Sequence, residues 1–223
     1  MVTVGVISDV HGNLHALEAV LDVMEADLIL CAGDLIGYGA FPNEVVDLVR
    51  RKGIRCVRGN HDDAVLRNEF EWFNSYAAEA GRWCVKALGG PQRSFLEDLP
   101  VRLAFRDVAV FHGSPVRPLR EYVTPGTPLA HLKEHLEASG AKMLVLGHTH
   151  APFVTHVNGG LVANPGSVGQ PRDGDERASY GVLDTEGMSF TVHRVHYDVE
   201  AAAKAITEAE LPSRLAERLF VGR

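Results

Sequence analysis

The stretch GHTH, Gly147 to His150, follows directly on the apolar run KMLVL and sets two imidazoles one residue apart at the end of a buried strand-like segment. The same arrangement recurs along the chain. VTVGVIS is followed by Asp9 and His11, DLILCAG by Asp34, IRCVRG by Asn60 and His61, and VAVF by His112. Each residue alone has a plain reading: Asp9 and Asp34 as caps of a following helix or turn, His61 or His112 as a satisfied polar side chain. Taken together the plain readings fail, because bunching carboxylates and imidazoles at the ends of apolar strands is costly unless a cation joins them. Asp9, His11, Asp34, Asn60, His112, His148 and His150 supply more N and O donors than the three or four of one zinc site. No cysteine belongs to the set, and its mixture of carboxylate, amide and imidazole suits Mn, Fe, Co, Ni or Zn better than Ca or Mg. Two divalent ions are expected, with Asp34 as the shared ligand. Ions about 3.5 to 4 Å apart can each hold a phosphoryl oxygen and activate a water between them, which is the chemistry of phosphate-ester hydrolysis.

The elements that must position these residues follow from periodicity. Val2 to Ser8 reads as a buried strand, and GNLHALEAVLDVME as a helix with Leu14, Leu17, Val20, Leu21 and Met24 at helical spacing. DLILCAGD is a second strand, FPNEVVDLVRRKG a helix closed by Gly53, and IRCVRGNHD a third strand. Strand then helix, repeated at this pace, implies parallel pairing through crossover helices, with the polar residues gathered at the carboxyl edge of the sheet. Residues 64 to about 99 read as a helical insertion. VRLAFRDVAVFHGSP reads as a hairpin, PLAHLKEHLEAS as a helix, and 178 to 195 as late strands, with closing helices between Val199 and Phe220 interrupted by Pro212. Early helices and late strands suggest two sheets packed face to face with helices outside them, in one domain spanning 1–223.

Composition narrows the partners. Lys plus Arg is 22 against 29 for Asp plus Glu, a net charge of −7, whose field repels polyanions and disfavours long nucleic acid as a ligand. Cys31, Cys56 and Cys84 are odd in number and widely spaced, so they read as small apolar fillers rather than a disulfide framework. No apolar run reaches the length of a membrane span, and the first residues start a strand without a basic region or cleavage site, so a cytoplasmic location without membrane contact is expected. The GxxxxGK[ST] loop is absent. Oligomeric state is not readable, although exposed helices at 64–99 and 199–220 could join copies in a homo-oligomer.

In order along the chain stand DVH at 9–11, GDLIG at 33–37, GNHD at 59–62, HG at 112–113 and GHTH at 147–150. This set resembles the motif blocks of the calcineurin-like metallophosphoesterases, over Val2 to about Val195. NPGSVGQPRD at 164–173 further resembles the small YfcE-type phosphodiesterase branch. The resemblance implies an α/β fold, a four-layer αββα sandwich of two packed mixed β-sheets flanked by helices. It implies Asp9, His11, Asp34 and His150 around one ion, and Asp34, Asn60, His112 and His148 around the other. His61 would then protonate the leaving alkoxide after attack by a metal-bridging hydroxide, and Asp62 would orient or tune it. None of the ligand positions is substituted.

For the substrate, a small soluble phosphodiester leads, ahead of a diadenosine polyphosphate or phosphoprotein, a nuclease reading, and a non-catalytic metal-binding scaffold. Tyr38 after GDLIG and Arg172 after the NPGS turn are candidate substrate contacts. So is Asn13, whose amide could reach the phosphate pocket or cap the first helix instead. The aromatic residues Phe70, Trp72, Phe73, Tyr76 and Trp83 recur near helical spacing and read first as packing, with base stacking as the alternative.

Overall fold

The computed structural model describes residues 2–223. The chain opens with three strand-helix steps, β1 (Thr3–Ile7), α1 (Leu14–Val23), β2 (Leu28–Cys31), α2 (Pro42–Arg51), β3 (Arg55–Cys56) and α3 (Asn60–Arg67). Two helices, α4 (Ser75–Ala87) and α5 (Gly90–Glu97), lead to the hairpin β4 (Leu103–Phe105) and β5 (Val108–Val110). There follow α6 (Leu129–Ser139), β6 (Met143–Val145), the pair β7 (Phe153–Val157) and β8 (Gly160–Asn164), and the pair β9 (Ala178–Asp184) and β10 (Ser189–Val195). The helices α7 (Val199–Glu208) and α8 (Ser213–Leu219) close the chain.

The strands form two five-stranded mixed sheets, ordered β10-β9-β1-β2-β3 and β4-β5-β6-β8-β7. In the first, β1, β2 and β3 run parallel and β9 and β10 add antiparallel. In the second, β5, β6 and β8 run parallel with antiparallel strands at both edges. The two-residue period of a strand sorts side chains between layers. Val4, Val6, Leu30, Val108, Val110, Met143, Val145, Leu161 and Ala163 share the core between the sheets. Their alternates Ala109, Leu144 and Val162 face Leu132 and Leu136 of α6. On the far side Ile7 and Cys31 pack under Leu17, Val20, Val45 and Val49 of α1 and α2. This is the α/β, four-layer αββα arrangement. Each buried aliphatic side chain contributes about 1.5–3 kcal/mol.

Local signals explain the helix ends. Asn13 and Asn74 cap α1 and α4 by accepting from Ala16 N and Ala77 N, and Pro42 starts α2 where its missing N–H is not needed. The short helices α7 and α8 pack Ala202, Ile206, Leu215 and Leu219 against Tyr38 and α4, so they back the loop that carries Tyr38. The third strand is shorter than its sequence suggests. Only Arg55–Cys56 is strand, and Asn60, His61 and Asp62 form the first turn of α3, because Asp62 accepts from Gly59 N at 2.9 Å and nucleates the helix there. All three cysteines are buried and free. No helix among the described residues is long and apolar enough to cross a membrane.

Candidate metal centre and active-site cleft

The loops that leave β1 and β2 run side by side, with Asp9 N bonded to Gly33 O, His11 N to Asp34 O and Gly12 N to Leu35 O, at 2.8–2.9 Å. The second sheet meets them across the sandwich, where His148 N donates to Asp9 Oδ2 at 3.0 Å. That approach requires Gly147, since a Cβ there would run into the Ser8 hydroxyl and close on Asp9 Oδ2. Five of the residues so gathered hold left-handed backbone: Asp9 (φ 53°), His11 (51°), Asp34 (55°), His148 (69°) and His150 (59°). Such a conformation costs a non-glycine residue on the order of 1–3 kcal/mol and concentrates where function demands it. With both residues in this conformation, His148 and His150 of GHTH reach different groups of donors.

Beside a group that joins His61 to His11 and Asp34, two groups gather the expected ligands, Asp9 with His11 and His150, and Asp34 with His112 and His148; in each group the donor atoms lie within 4.8 Å of one another. These expected ligands, and Asn60, are at most 3% exposed. Asp34 Oδ2 stands between them, 3.6 Å from His11 Nε2 and 3.3 Å from His112 Nε2, which is the place of a shared ligand. Asn60 Oδ1 lies 2.7 Å from His112 Nε2.

The donors present fit cations, and the tautomers decide it. His11, His112 and His150 each give the Nδ1 proton to a carbonyl, of Ile36, Ala32 and Gln170 respectively. Their Nε2 atoms therefore point into the centre, each offering a lone pair when its ring is neutral. His11 Nε2 and His150 Nε2 face each other at 3.1 Å with no proton to share, beside Asp9 Oδ1, which has no hydrogen-bond partner. His148 Nε2 is buried and unpartnered as well. A cation resolves these contacts. Burial holds His11, His148 and His150 below the usual imidazole range, His148 down to about 3, which keeps them in the neutral, ligating form. His112 behaves differently. Burial disfavours its charge, but Asp34, Asp9 and the Ala32 carbonyl together prevail and push it up to about 10, so without ions it holds the proton that a metal would displace.

A ring of further contacts fixes the donors. Asp62 accepts from the backbone N–H groups of Asp34, Ile36 and Gly59 at 2.9–3.2 Å, which locks the Asp34 loop to α3. Its oxygens are thus committed to amides, and no hydrogen bond joins them to the His61 ring among the described residues. The 164–170 loop does similar work: Asn164 donates to Gly147 O and Thr149 Oγ1, Ser167 to Asp9 O, and Gln170 O receives His150 Nδ1–H. The sequence marked this loop only as a resemblance, and its roles come from contacts across the fold.

Above the donors opens a cleft of about 350 Å³. His61 lies on it, its ring 4.6 Å from that of Tyr38 and 4.7 Å from that of Phe73, with its backbone N–H on Asp34 Oδ1. Gly37 makes room for this stack, since a Cβ there would meet the rings of both His61 and His11. Arg172 also lines the cleft, bonded to Tyr38 O–H at 3.1 Å and Gln170 Oε1 at 3.0 Å. Asn13 does not line it: its amide caps α1 and donates to Gly169 O. Of the two roles expected for Asn13, the cap of the first helix is the one its side chain fills here. Of the aromatic residues at 70–83, Phe70 is buried in the core as expected, while Trp72 and Phe73 line the cleft. Arg120 and Tyr122, which nothing in their sequence context singled out, line it too.

The model of the calcineurin-like phosphoesterase superfamily domain matches residues 2–188. The chain belongs to this superfamily. As a calcineurin-like phosphoesterase it is 37% identical to the uncharacterized protein MJ0912 of Methanocaldococcus jannaschii, over 99% of this chain and 98% of that one. It is 29% identical to phosphodiesterase YfcE of Escherichia coli, over 82% and 87%. A crystal structure of a metallophosphoesterase from Sphaerobacter thermophilus aligns over 100% of this chain and 99% of that one, at 36% identity and a TM-score of 0.87. Family and donor geometry together support a metal-dependent phosphoesterase with a dinuclear divalent-metal site.

Proposed function

We propose that this calcineurin-like protein is a phosphodiesterase that hydrolyses small soluble phosphodiesters with two divalent ions of the Mn, Fe, Co, Ni or Zn kind. Asp9, His11, Asp34 and His150 would hold one ion, and Asp34, Asn60, His112 and His148 the other. When bound, the ions supply Lewis-acid polarisation of phosphoryl oxygens and a water acidified to a nucleophile.

The observation that carries the reading is the freedom of His61. Its ring nitrogens make no hydrogen bond among the described residues, whereas His11, His112 and His150 are each pinned to a carbonyl. It lies beside His11 and Asp34 and on the cleft, so its role is to give a proton to the ester oxygen as the P–O bond breaks. Burial draws His61 down to about 4, with Asp34 opposing and Arg172 assisting. A phosphate anion brought against the ring favours its charged form, the one that donates a proton. Arg172, held in place by Tyr38 and Gln170, has donors left for a non-bridging oxygen.

Protein loaded with each metal in turn should hydrolyse bis(p-nitrophenyl) phosphate faster than p-nitrophenyl phosphate, a cyclic nucleotide or a dinucleotide polyphosphate. Turnover of the monoester alone would replace the reading with a phosphatase. Full metal loading with no turnover of any ester would make the chain a scaffold.

A further inference from the structure

The wall of the cleft offers more than one diester anion uses. It is built by the loop 113–122 that follows β5, drawn tight by Gly113 N to Pro118 O and Arg120 N to Arg117 O. Glu121 in this loop turns inward, where one oxygen takes the Ser114 hydroxyl and the other lies 3.5 Å from His135 Nε2 on α6. With Glu121 anchored, its neighbours Arg120 and Tyr122 are set on the cleft. Tyr122 lies over the His148 ring with centroids 3.9 Å apart and 30° between planes, and it is 58% exposed, so one face is covered and the other open. The Arg120 guanidinium rests 4.9 Å from the centre of the Trp72 ring and has no carboxylate partner among the described residues. The chain is acidic by 7 charges, yet the two arginines of this cleft face a centre that already carries two divalent cations when loaded. A diester with one negative charge leaves Arg120 unmatched.

We infer that this wall is the leaving-group subsite, and that it takes a planar ring bearing a second anion of its own: a nucleoside phosphate whose base lies on the open face of Tyr122 and whose phosphate meets Arg120. The inference rests on the phosphoesterase reading and names the substrate class for that same site. Ring stacking and a charge-assisted guanidinium–phosphate contact each raise affinity by about tenfold in such settings. The acidic chain, with Arg120 and Arg172 as the cations that line the cleft, limits the ligand to a short nucleotide rather than a polymer.

Binding of adenosine 5′-monophosphate, adenosine and inorganic phosphate to the metal-loaded protein, measured by calorimetry, tests it. The nucleotide should bind at least about tenfold tighter than either fragment. Arg120→Ala should weaken the nucleotide about tenfold and leave adenosine unchanged, and Arg120→Lys should recover part of the loss. Tyr122→Ala should weaken nucleotide and nucleoside alike and leave phosphate unchanged. In Trp83→Phe, which leaves Trp72 as the sole tryptophan, the nucleotide should change the fluorescence. Nucleotide affinity equal to that of phosphate, or indifferent to both Arg120→Ala and Tyr122→Ala, overturns the subsite. Hydrolysis of bis(p-nitrophenyl) phosphate by the unaltered protein is read in parallel. Turnover without the binding pattern removes the subsite alone, and the binding pattern without any turnover removes the phosphoesterase reading alone.

Discussion

The floor and the wall of the cleft are built by opposite means. The floor consists of side chains at most 3% exposed, held by left-handed turns at strand ends and by Asp62, Asn164 and Ser167 behind them. The wall consists of Trp72, Arg120 and Tyr122 on connecting segments, with Trp72 41% and Tyr122 58% exposed. The floor cannot change without disturbing the fold, because its donors also carry the hydrogen bonds that join the two sheets. The wall can change freely, since little else leans on it. Chemistry thus belongs to the scaffold and selectivity to its connections.

Substitutions should separate the two regions sharply. Asp34→Asn, which removes the charge shared by both donor groups, should lower turnover by more than about 10³-fold and cut the metal content found by elemental analysis. A variant that kept both ions and its activity would end the claim that the floor is one unit. His61→Ala should cost about 10²-fold in turnover while the ions stay bound, and loss of metal in that variant would move His61 from proton donor to ligand. Asp62→Asn can accept from fewer of its three amides, so it should lose about 1–3 kcal/mol of stability and weaken metal binding about 10-fold or more, read by denaturation and metal titration. Trp72→Ala should sit at the other end of the scale, within about 0.5 kcal/mol of the parent in stability and altered mainly in KM.

A pH experiment sharpens the floor further. His112 is pushed up to about 10 in the ion-free centre, so at pH 7–8 it is protonated there and must release that proton to bind a metal. Metal affinity should rise with pH toward 10. Calorimetry in buffers of different ionisation enthalpy should find about one proton released per chain, and no release would mean that His112 does not ligate.

The same contrast explains what could be read from the chain alone. The floor was legible because each donor follows an apolar run and the runs alternate with helices, which sends their ends to one edge. The layers were legible for the same reason, since two-residue alternation such as Val108, Ala109, Val110 sorts side chains to opposite faces. The left-handed turns at Asp9, His11, Asp34, His148 and His150 were not, because the preference of Asp and His for that conformation is too weak a local sign to fix it at a given position. Asn60 to Asp62 read as a strand end and form a helix turn, a choice made by the Asp62 bond to Gly59 N. Arg120 and Tyr122 lie in a Pro- and Arg-rich loop without periodicity, and only the inward anchoring of Glu121 reveals where they face.

Asp9, His11, Asp34 and Asn60 come from segments that leave the first sheet, and His112, His148 and His150 from segments that leave the second. Each cation pocket therefore straddles the seam of the sandwich, like a rivet through two plates. The spacing of the plates is set by apolar side chains such as Val6 and Val145, three residues before Asp9 and His148. Trimming either valine should let the plates settle and alter how tightly the rivets hold, so the hydrophobic filling of this molecule is also a dial on its appetite for metal.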